Sequence, residues 1–163
     1  QSTLSFCRRR RLHLIMDEIY ALSVFNGGVF TSLVRILDGQ LGDYVHWVWS
    51  FSKDFAASGL RTGVLFSQNK ALLAAVGATN DAMMVSNLTQ LAFQTVIRDE
   101  FFVGSYVATN AQRLQRMGTL LLAQLARHCS LPGYYRVCYA FVTELAMIEG
   151  VRRIGQAIAT FRT

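Results

Sequence analysis

The chain has 163 residues, of which 52% are hydrophobic, and a formal net charge of +6 at pH 7. This length and composition predict one domain or pieces of two with a sizeable core, and they exclude wholesale disorder. No run approaches the roughly 18 uninterrupted apolar residues of a membrane span, so we expect no membrane partner. Three cysteines and three histidines without paired or ligand-like spacing exclude a disulfide framework and a metal site and favour a reducing, cytoplasmic location.

The first segment, Gln1 to Arg11, is typical of the polar end of a helix, and we interpret the sequence as a fragment of a longer protein. Its four consecutive arginines, Arg8 to Arg11, and the positive net charge suggest nucleic-acid binding. The run is short and adjoins an apolar run directly, and aromatic residues are not interleaved with basic ones elsewhere. The sequence therefore favours a solvated helix end and no nucleic-acid partner.

Three short apolar runs predict the strands of an α/β sheet: residues 12–16, 45–49 and 62–66. We expect the first to be a parallel strand buried on both faces. In open α/β sheets ligands bind at the carboxyl ends of the strands. Asp17 would lie at the end of the first strand, and Lys53 shortly after the second.

Beyond Gln68 the pattern becomes helical. It predicts a helix over residues 71–76 that breaks near Gly77, a second over 85–99, and one or two over 100–128. Residues 134–140 predict a strand, and Thr143 is expected to cap a final helix. The predicted buried stripe of that helix consists of Leu145, Ile148, Ile154, Ile158 and Phe161. The chain thus divides into a sheet-centred part up to about residue 86 and a mostly helical part after it.

The segment from Trp47 to Arg61, WVWSFSKDFAASGLR, contains one of only two lysines in a chain with fourteen arginines. A desolvated lysine amine deprotonates and condenses with an aldehyde to form a Schiff base, which arginine cannot do. Ser50 and Ser52 precede Lys53, and Arg61 follows it, and such groups bind phosphate. An aldehyde cofactor carrying a phosphate is pyridoxal 5′-phosphate, which we predict as the cofactor.

Ser-x-Ser-Lys followed by Gly-x-Arg resembles the cofactor-lysine motif of class I/II aminotransferases. The segments DEIYALSVF (Asp17–Phe25) and YYRVCYA (Tyr134–Ala140) are similar to the 1-aminocyclopropane-1-carboxylate synthase-like branch. The resemblance implies the C-terminal part of a type I pyridoxal-phosphate aminotransferase fold. Residues 1–99 would be a sheet-centred large-domain remnant, and residues 100–163 a truncated, mostly helical small domain with an internal deletion before the YYRVCYA motif.

The resemblance also implies a role for each motif residue. Lys53 would form the Schiff base and then move the proton at the substrate α-carbon. Asp17 would keep the ring nitrogen of the cofactor protonated, and Tyr20 would reach its phenolic oxygen. Ser50, Ser52 and Arg61 would bind the phosphate. The alternative for Asp17 and Tyr20 is a cap and an ordinary core residue.

Arg136 lies in the otherwise apolar motif YYRVCYA. In the family the arginine of this motif clamps the α-carboxylate of the substrate, and the alternative is a structural ion pair. The resemblance thus implies an enzyme that acts on amino acids, by transamination or elimination, as a homodimer when full length. The alternative is a catalytically inactive remnant that serves as an interaction module. The enzyme interpretation predicts that Asp17, Lys53 and Arg61 converge at one edge of a sheet, where the strands end.

Overall fold

The structure of the chain, a computed structural model, describes residues 2–25, 27–129 and 135–160. Its strands are β1 (Leu14–Asp17), β2 (Val45–Ser50) and β3 (Gly63–Ser67). Its helices are α1 (Ser2–Arg10), α2 (Leu33–Ile36), α3 (Phe51–Asp54), α4 (Lys70–Met83), α5 (Asn87–Arg98), α6 (Glu100–His128) and α7 (Glu144–Thr160), with a 3₁₀ turn at Ser58–Leu60. The chain forms two compact units, residues 1–107 and 108–163.

The sheet of the first unit has the order β1-β2-β3. Strand β1 runs parallel to β2 with Asp17 opposite Val48, and β3 runs antiparallel to β2 with Gly63 opposite Ser50. The three predicted strands are confirmed, with ends shifted by one or two residues. The prediction that β1 is buried on both faces is wrong. Its burial alternates, and Ile15 remains 65% exposed.

The alternating burial along β1 follows from the position of the core of the first unit. Leu33, Leu41 and Val45 form its buried centre. The side chains packed around them are partly buried: Leu4, Leu14, Met16, Val34, Leu37 and Trp47. Because strand side chains point alternately to opposite faces, the residues of β1 that face this core cover one side of the sheet only. The α1 residues Arg8, Arg9 and Arg10 are exposed in its last turn, so the predicted helix end is present.

A chain of hydrogen bonds crosses the sheet at His46, which is only 2% exposed. The Nε2 of His46 lies 2.8 Å from Nδ1 of His13, and its Nδ1 lies 2.8 Å from Oγ of Ser67. Ser67 Oγ also accepts a hydrogen bond from the amide of Asn69, whose side chain caps α4. Burial, followed by the nearby charge of His13, lowers the pKa of His46 below its ordinary value of 6.5.

This lowered pKa predicts acid sensitivity. The unfolded chain binds a proton at His46 more readily than the folded chain, so folding loses stability as the pH falls through about 6.5. We expect the free energy of unfolding, measured by urea titration, to decrease over that range. The variant His46→Gln should flatten this dependence, and the control His128→Gln should retain it. An unchanged slope in His46→Gln would contradict the assignment.

The helices of the first unit depart from prediction at one point. The predicted break near Gly77 is absent, and α4 continues from Lys70 to Met83. A glycine in a helix costs only about 1 kcal/mol relative to alanine, and the surrounding residues of α4 continue the hydrogen-bonded turns. Residues 87–98 form a helix within the predicted range, and 100–128 form a single helix through Gly118.

The second unit has a core of Leu121, Met147 and Val151, from α6 and α7. The predicted strand at residues 134–140 is wrong for its described part, because residues 135–140 form no strand. Val137 and Tyr139 of this segment still pack against the core, and burial raises the pKa of Tyr139. The apolar side chains of this segment therefore pack on the core from an irregular backbone and not from a strand. Tyr134 itself lies outside the described residues.

The predicted cap of α7 is confirmed, since the hydroxyl of Thr143 accepts a hydrogen bond from the amide of Ala146. The predicted buried stripe is wrong. Leu145 is 79% exposed, and the buried residues are Met147, Val151 and Gly155. Gly155 faces the carbonyl oxygen of His128, which would lie 2.2 Å from a β-carbon at that position. Phe161 lies outside the described residues. Among the helices that the structure describes, none is long and apolar enough to cross a membrane.

Candidate active site

Polar residues collect where the three strands share one end. The carboxyl ends of β1 and β2 lie there because the two strands are parallel, and the amino end of β3 joins them because it is antiparallel. Asp17 ends β1, Lys53 lies three residues beyond β2, and Arg61 lies two residues before β3. The register therefore brings the three predicted positions to the same end of the sheet.

Lys53 is carried by the single-turn helix α3, which packing holds in place. Phe51 is 6% exposed, with its ring stacked 3.9 Å from that of Phe93 and edge-on to Trp49 at 4.7 Å. Asp54 is 1% exposed. These two inward-facing side chains leave Lys53 on the exposed side of the turn. Within the described residues the side-chain amine of Lys53 makes no ion pair or hydrogen bond, so this amine is available for chemistry.

Two hydroxyl groups lie beside this turn. Ser50 Oγ caps α3 by accepting a hydrogen bond of 2.9 Å from the amide of Ser52, and the two Oγ atoms lie 2.7 Å apart. Both serines are half-buried. Since Ser50 Oγ donates to Ser52 Oγ, an anion at this position would meet the hydroxyl of Ser52 as a donor held in place by the turn.

Arg61 has a left-handed backbone, with φ of 51°. This conformation costs a non-glycine residue about 1 kcal/mol. A hydrogen bond of 2.9 Å from its Nη1 to the carbonyl oxygen of Ser58 holds the exposed side chain over the 3₁₀ turn. The guanidinium keeps further donors free for a planar anion.

Asp17 and Tyr20 lie across the sheet end from Lys53. Asp17 Oδ1 accepts a hydrogen bond of 3.1 Å from the amide of Ile19, and its side chain is exposed. Tyr20 is 59% exposed. A carboxylate that keeps a ring nitrogen protonated is expected to be buried, whereas in the described chain the carboxylate of Asp17 is open to solvent. The ring of Tyr20 is likewise no part of the core.

Two carboxylates that sequence reasoning missed organise this end of the sheet. Asp54 accepts hydrogen bonds from the amide of Leu22 at 3.0 Å, Oγ of Ser23 at 2.6 Å and Nε1 of Trp49 at 2.8 Å. These bonds tie the segment after β1 to the turn that carries Lys53. Asp54 is therefore a positioning residue for the candidate site.

Glu18 is the second of these carboxylates and is 4% exposed. It accepts hydrogen bonds from the amide of Leu33 and from Nε1 of Trp47, each at 2.7 Å. The sequence does indicate that two acceptors are needed here, because each of the two acids accepts from a tryptophan. Trp47 and Trp49 are two residues apart, so both indoles lie on one sheet face, and each buried N–H requires an acceptor.

Arg136 lies in the second unit, on the irregular segment 135–140, and is exposed. It makes no ion pair or hydrogen bond with another residue of the described chain, so the structural ion pair weighed as its alternative does not form there. Arg136 thus belongs to the second unit, whereas Asp17, Lys53 and Arg61 belong to the first.

Comparison with known proteins identifies the family. The family described as aminotransferase class I and II matches residues 1–135. The chain belongs to this family. The residues matched include the sheet end with Asp17, Lys53 and Arg61, and the family-level prediction from the sequence motifs is confirmed.

The curated relatives narrow the family to a branch. The chain is 38% identical over 128 residues to 1-aminocyclopropane-1-carboxylate synthase 5 of rice, covering 76% of this chain and 24% of the rice protein. It is 25% identical to the soybean synthase over 210 aligned positions, covering 94% of this chain and 43% of the relative. A mouse relative, described as a probable inactive 1-aminocyclopropane-1-carboxylate synthase-like protein, is 35% identical over 136 residues, covering 82% of this chain and 23% of that protein. The chain therefore spans less than half the length of these relatives.

Solved structures confirm the fold. An aromatic aminotransferase from Pyrococcus horikoshii superposes with a TM-score of 0.83 at 18% identity, over 99% of this chain and 55% of that one. The α-aminoadipate aminotransferase of Thermus thermophilus, solved with N-(5′-phosphopyridoxyl)-L-leucine, gives 0.79 at 19% identity, over 98% and 53%. The chain thus has the fold of the type I pyridoxal-phosphate aminotransferases, and the cofactor of its family is pyridoxal 5′-phosphate.

Proposed function

We propose that the chain is the cofactor-lysine part of a pyridoxal-phosphate enzyme that acts on amino acids, with Lys53 as the residue that holds the cofactor. The observation that carries this proposal is the convergence of Asp17, Lys53 and Arg61 at one end of the sheet. A carboxylate, an amine with no partner among the described residues, and a guanidinium are the groups that the ring nitrogen, aldehyde and phosphate of the cofactor require. The donor set therefore fits this group.

Each residue has a definite task in this proposal. Bound pyridoxal phosphate supplies an electron sink that acidifies the substrate α-carbon. Lys53 holds the cofactor through its amine and, once released, moves the proton at that carbon. Ser50, Ser52 and Arg61 bind the phosphate, the arginine through charge-assisted hydrogen bonds. Asp17 keeps the ring nitrogen protonated, and Tyr20 donates to the phenolic oxygen.

The finer assignments rest on the family. Arg136 is the proposed clamp for the substrate α-carboxylate, supported by its motif and by a guanidinium that has no partner among the described residues. Residues 1–99 are the proposed large-domain part and residues 100–163 the small-domain part, although the two compact units divide inside α6, after residue 107. The alignment to the soybean enzyme is longer than this chain, which supports an internal deletion. We also propose a cytoplasmic, homodimeric parent enzyme.

A specific observation favours a second candidate. The mouse relative described as probably inactive is about as similar to this chain as the plant synthases are. Large apolar side chains are also exposed, among them Val29 at 86% and Phe101 at 87%. The alternative proposal is a catalytically inactive chain that retains the fold as an interaction module, without retaining cofactor affinity.

Equilibrium dialysis against pyridoxal phosphate distinguishes the two candidates. We expect saturable binding of one equivalent, and Arg61→Gln should weaken it about tenfold because a charge-assisted contact to the phosphate is lost. The control Arg113→Gln removes an exposed arginine of the second unit and should leave the affinity unchanged. Absence of saturable binding, or equal losses in both variants, would favour the inactive module.

A further inference from the structure

The first unit has an open cleft on the sheet face opposite Asp17. Two adjoining cavities, of about 360 and 510 Å³, share Ser32, Arg35 and Trp47 in their lining. Asp17 lies opposite Val48 in the sheet, whereas the cleft is floored by Trp47 and its neighbour of the same face, Trp49. Side chains alternate along a strand, so the floor of this cleft faces away from Asp17.

The floor of the cleft consists of two fixed indole rings. The rings of Trp47 and Trp49 are nearly parallel, at 12°, with centroids 6.5 Å apart. Each N–H donates to a buried carboxylate, Trp47 to Glu18 and Trp49 to Asp54. The indoles therefore expose flat apolar surface, and they have no polar atom left to offer a ligand. Such a floor favours a planar aromatic group stacked on it.

One cation stands over this floor. Arg35 lines both cavities, is exposed, and makes no side-chain hydrogen bond or ion pair within the described chain. Glu18 lines the first cavity, but both of its oxygens already accept hydrogen bonds. Asp38 lines the second. Because Glu18 and Asp38 are acids and Arg35 is the one cation that the described residues contribute to this lining, a doubly charged phosphate would be repelled more strongly than a singly charged carboxylate.

We infer that this cleft binds a small aromatic carboxylate, with its ring on Trp47 and Trp49 and its carboxylate on Arg35. The guanidinium offers the planar fork that matches two carboxylate oxygens. The aliphatic part of Arg35 and the apolar rim residues Leu22 and Phe30 would cover the edge of the ring. The cleft is open, so we expect a modest dissociation constant of about 0.1 to 1 mM.

The composition of the chain makes the test direct. Trp47 and Trp49 are its only tryptophans, so both indole N–H signals in a ¹H–¹⁵N spectrum report on this cleft. The probes are 2-naphthylacetate and its neutral analogue 2-naphthylacetamide, titrated into the full chain. We expect both indole signals to shift on titration, with the acid binding about tenfold more tightly than the amide.

Three variants test whether the charge of Arg35 causes the preference for the acid over the amide. Arg35→Gln should bind acid and amide equally, Arg35→Lys should keep part of the preference, and the control Arg98→Gln, outside the cleft, should keep all of it. Unchanged indole signals in the ligand-free variants would show that the floor is intact. Absent shifts in the wild-type chain, equal affinities for acid and amide there, or a preference that survives Arg35→Gln would each overturn the proposal.

Discussion

Replacing Asp54 with alanine is expected to lower the free energy of unfolding of the first unit by about 4 kcal/mol. The carboxylate accepts three hydrogen bonds at 1% exposure. Its loss removes the acceptor of the amide of Leu22, the hydroxyl of Ser23 and the indole N–H of Trp49, all in part-buried hydrogen bonds, and leaves a cavity at a fully buried position. Urea titration followed by tryptophan fluorescence measures the effect, since both tryptophans lie in this unit.

The matched control for Asp54 is Asp43→Ala. Asp43 is an exposed acid of the same unit, and within the described residues the side chain of Asn69 donates to its backbone carbonyl oxygen, which alanine retains. We expect a change within about 0.5 kcal/mol for this variant. Equal unfolding free energies for the two variants would contradict the role of Asp54 as the anchor between the segment after β1 and the turn of Lys53.

Replacing Gly155 with alanine is expected to destabilise the second unit by about 3 kcal/mol. The added methyl group would lie 2.2 Å from the carbonyl oxygen of His128, a backbone atom at the end of α6 that cannot rotate away. Overpacking of this kind costs typically about 1 to 3 kcal/mol, and a backbone obstacle places this site at the upper end. Thermal unfolding followed by circular dichroism of the helices measures the loss.

The same helix provides the control. Gly150 lies in α7 with no atom within 4 Å of an added β-carbon. Gly150→Ala should therefore stabilise the helix by about 0.5 to 1 kcal/mol, since alanine is the better helix former. If Gly155→Ala melts at the same temperature as Gly150→Ala, the close approach of α7 to the end of α6 is wrong.

The strands could be predicted because their signals are local. Apolar runs ending at Asp17 and before Lys53 define the first two strands to within a few residues. Asp54 and Glu18 were missed because their partners are distant in sequence. Glu18 accepts from Leu33 and Trp47, 15 and 29 positions away, and only the folded sheet shows that these donors need it.

The second unit was predicted less well because hydrophobicity alone does not define which face is buried. Leu145 was assigned to the buried stripe of α7 by its apolar character and is 79% exposed. The real stripe passes through Gly155, whose missing side chain allows the close approach to α6. Similarly, Val137 and Tyr139 alternate as in a strand, but they pack directly on helices and have no neighbouring strand among the described residues.

The central claim is that Lys53 holds pyridoxal phosphate, and reductive trapping tests it most directly. The chain has two lysines, Lys53 and Lys70. After incubation with pyridoxal phosphate and borohydride, peptide mass spectrometry assigns the adduct to one or the other. We predict labelling at Lys53 that inorganic phosphate suppresses, lost in both Lys53→Ala and Lys53→Arg and retained in Lys70→Ala. Equal labelling of the two lysines, or no adduct at Lys53, would contradict the account.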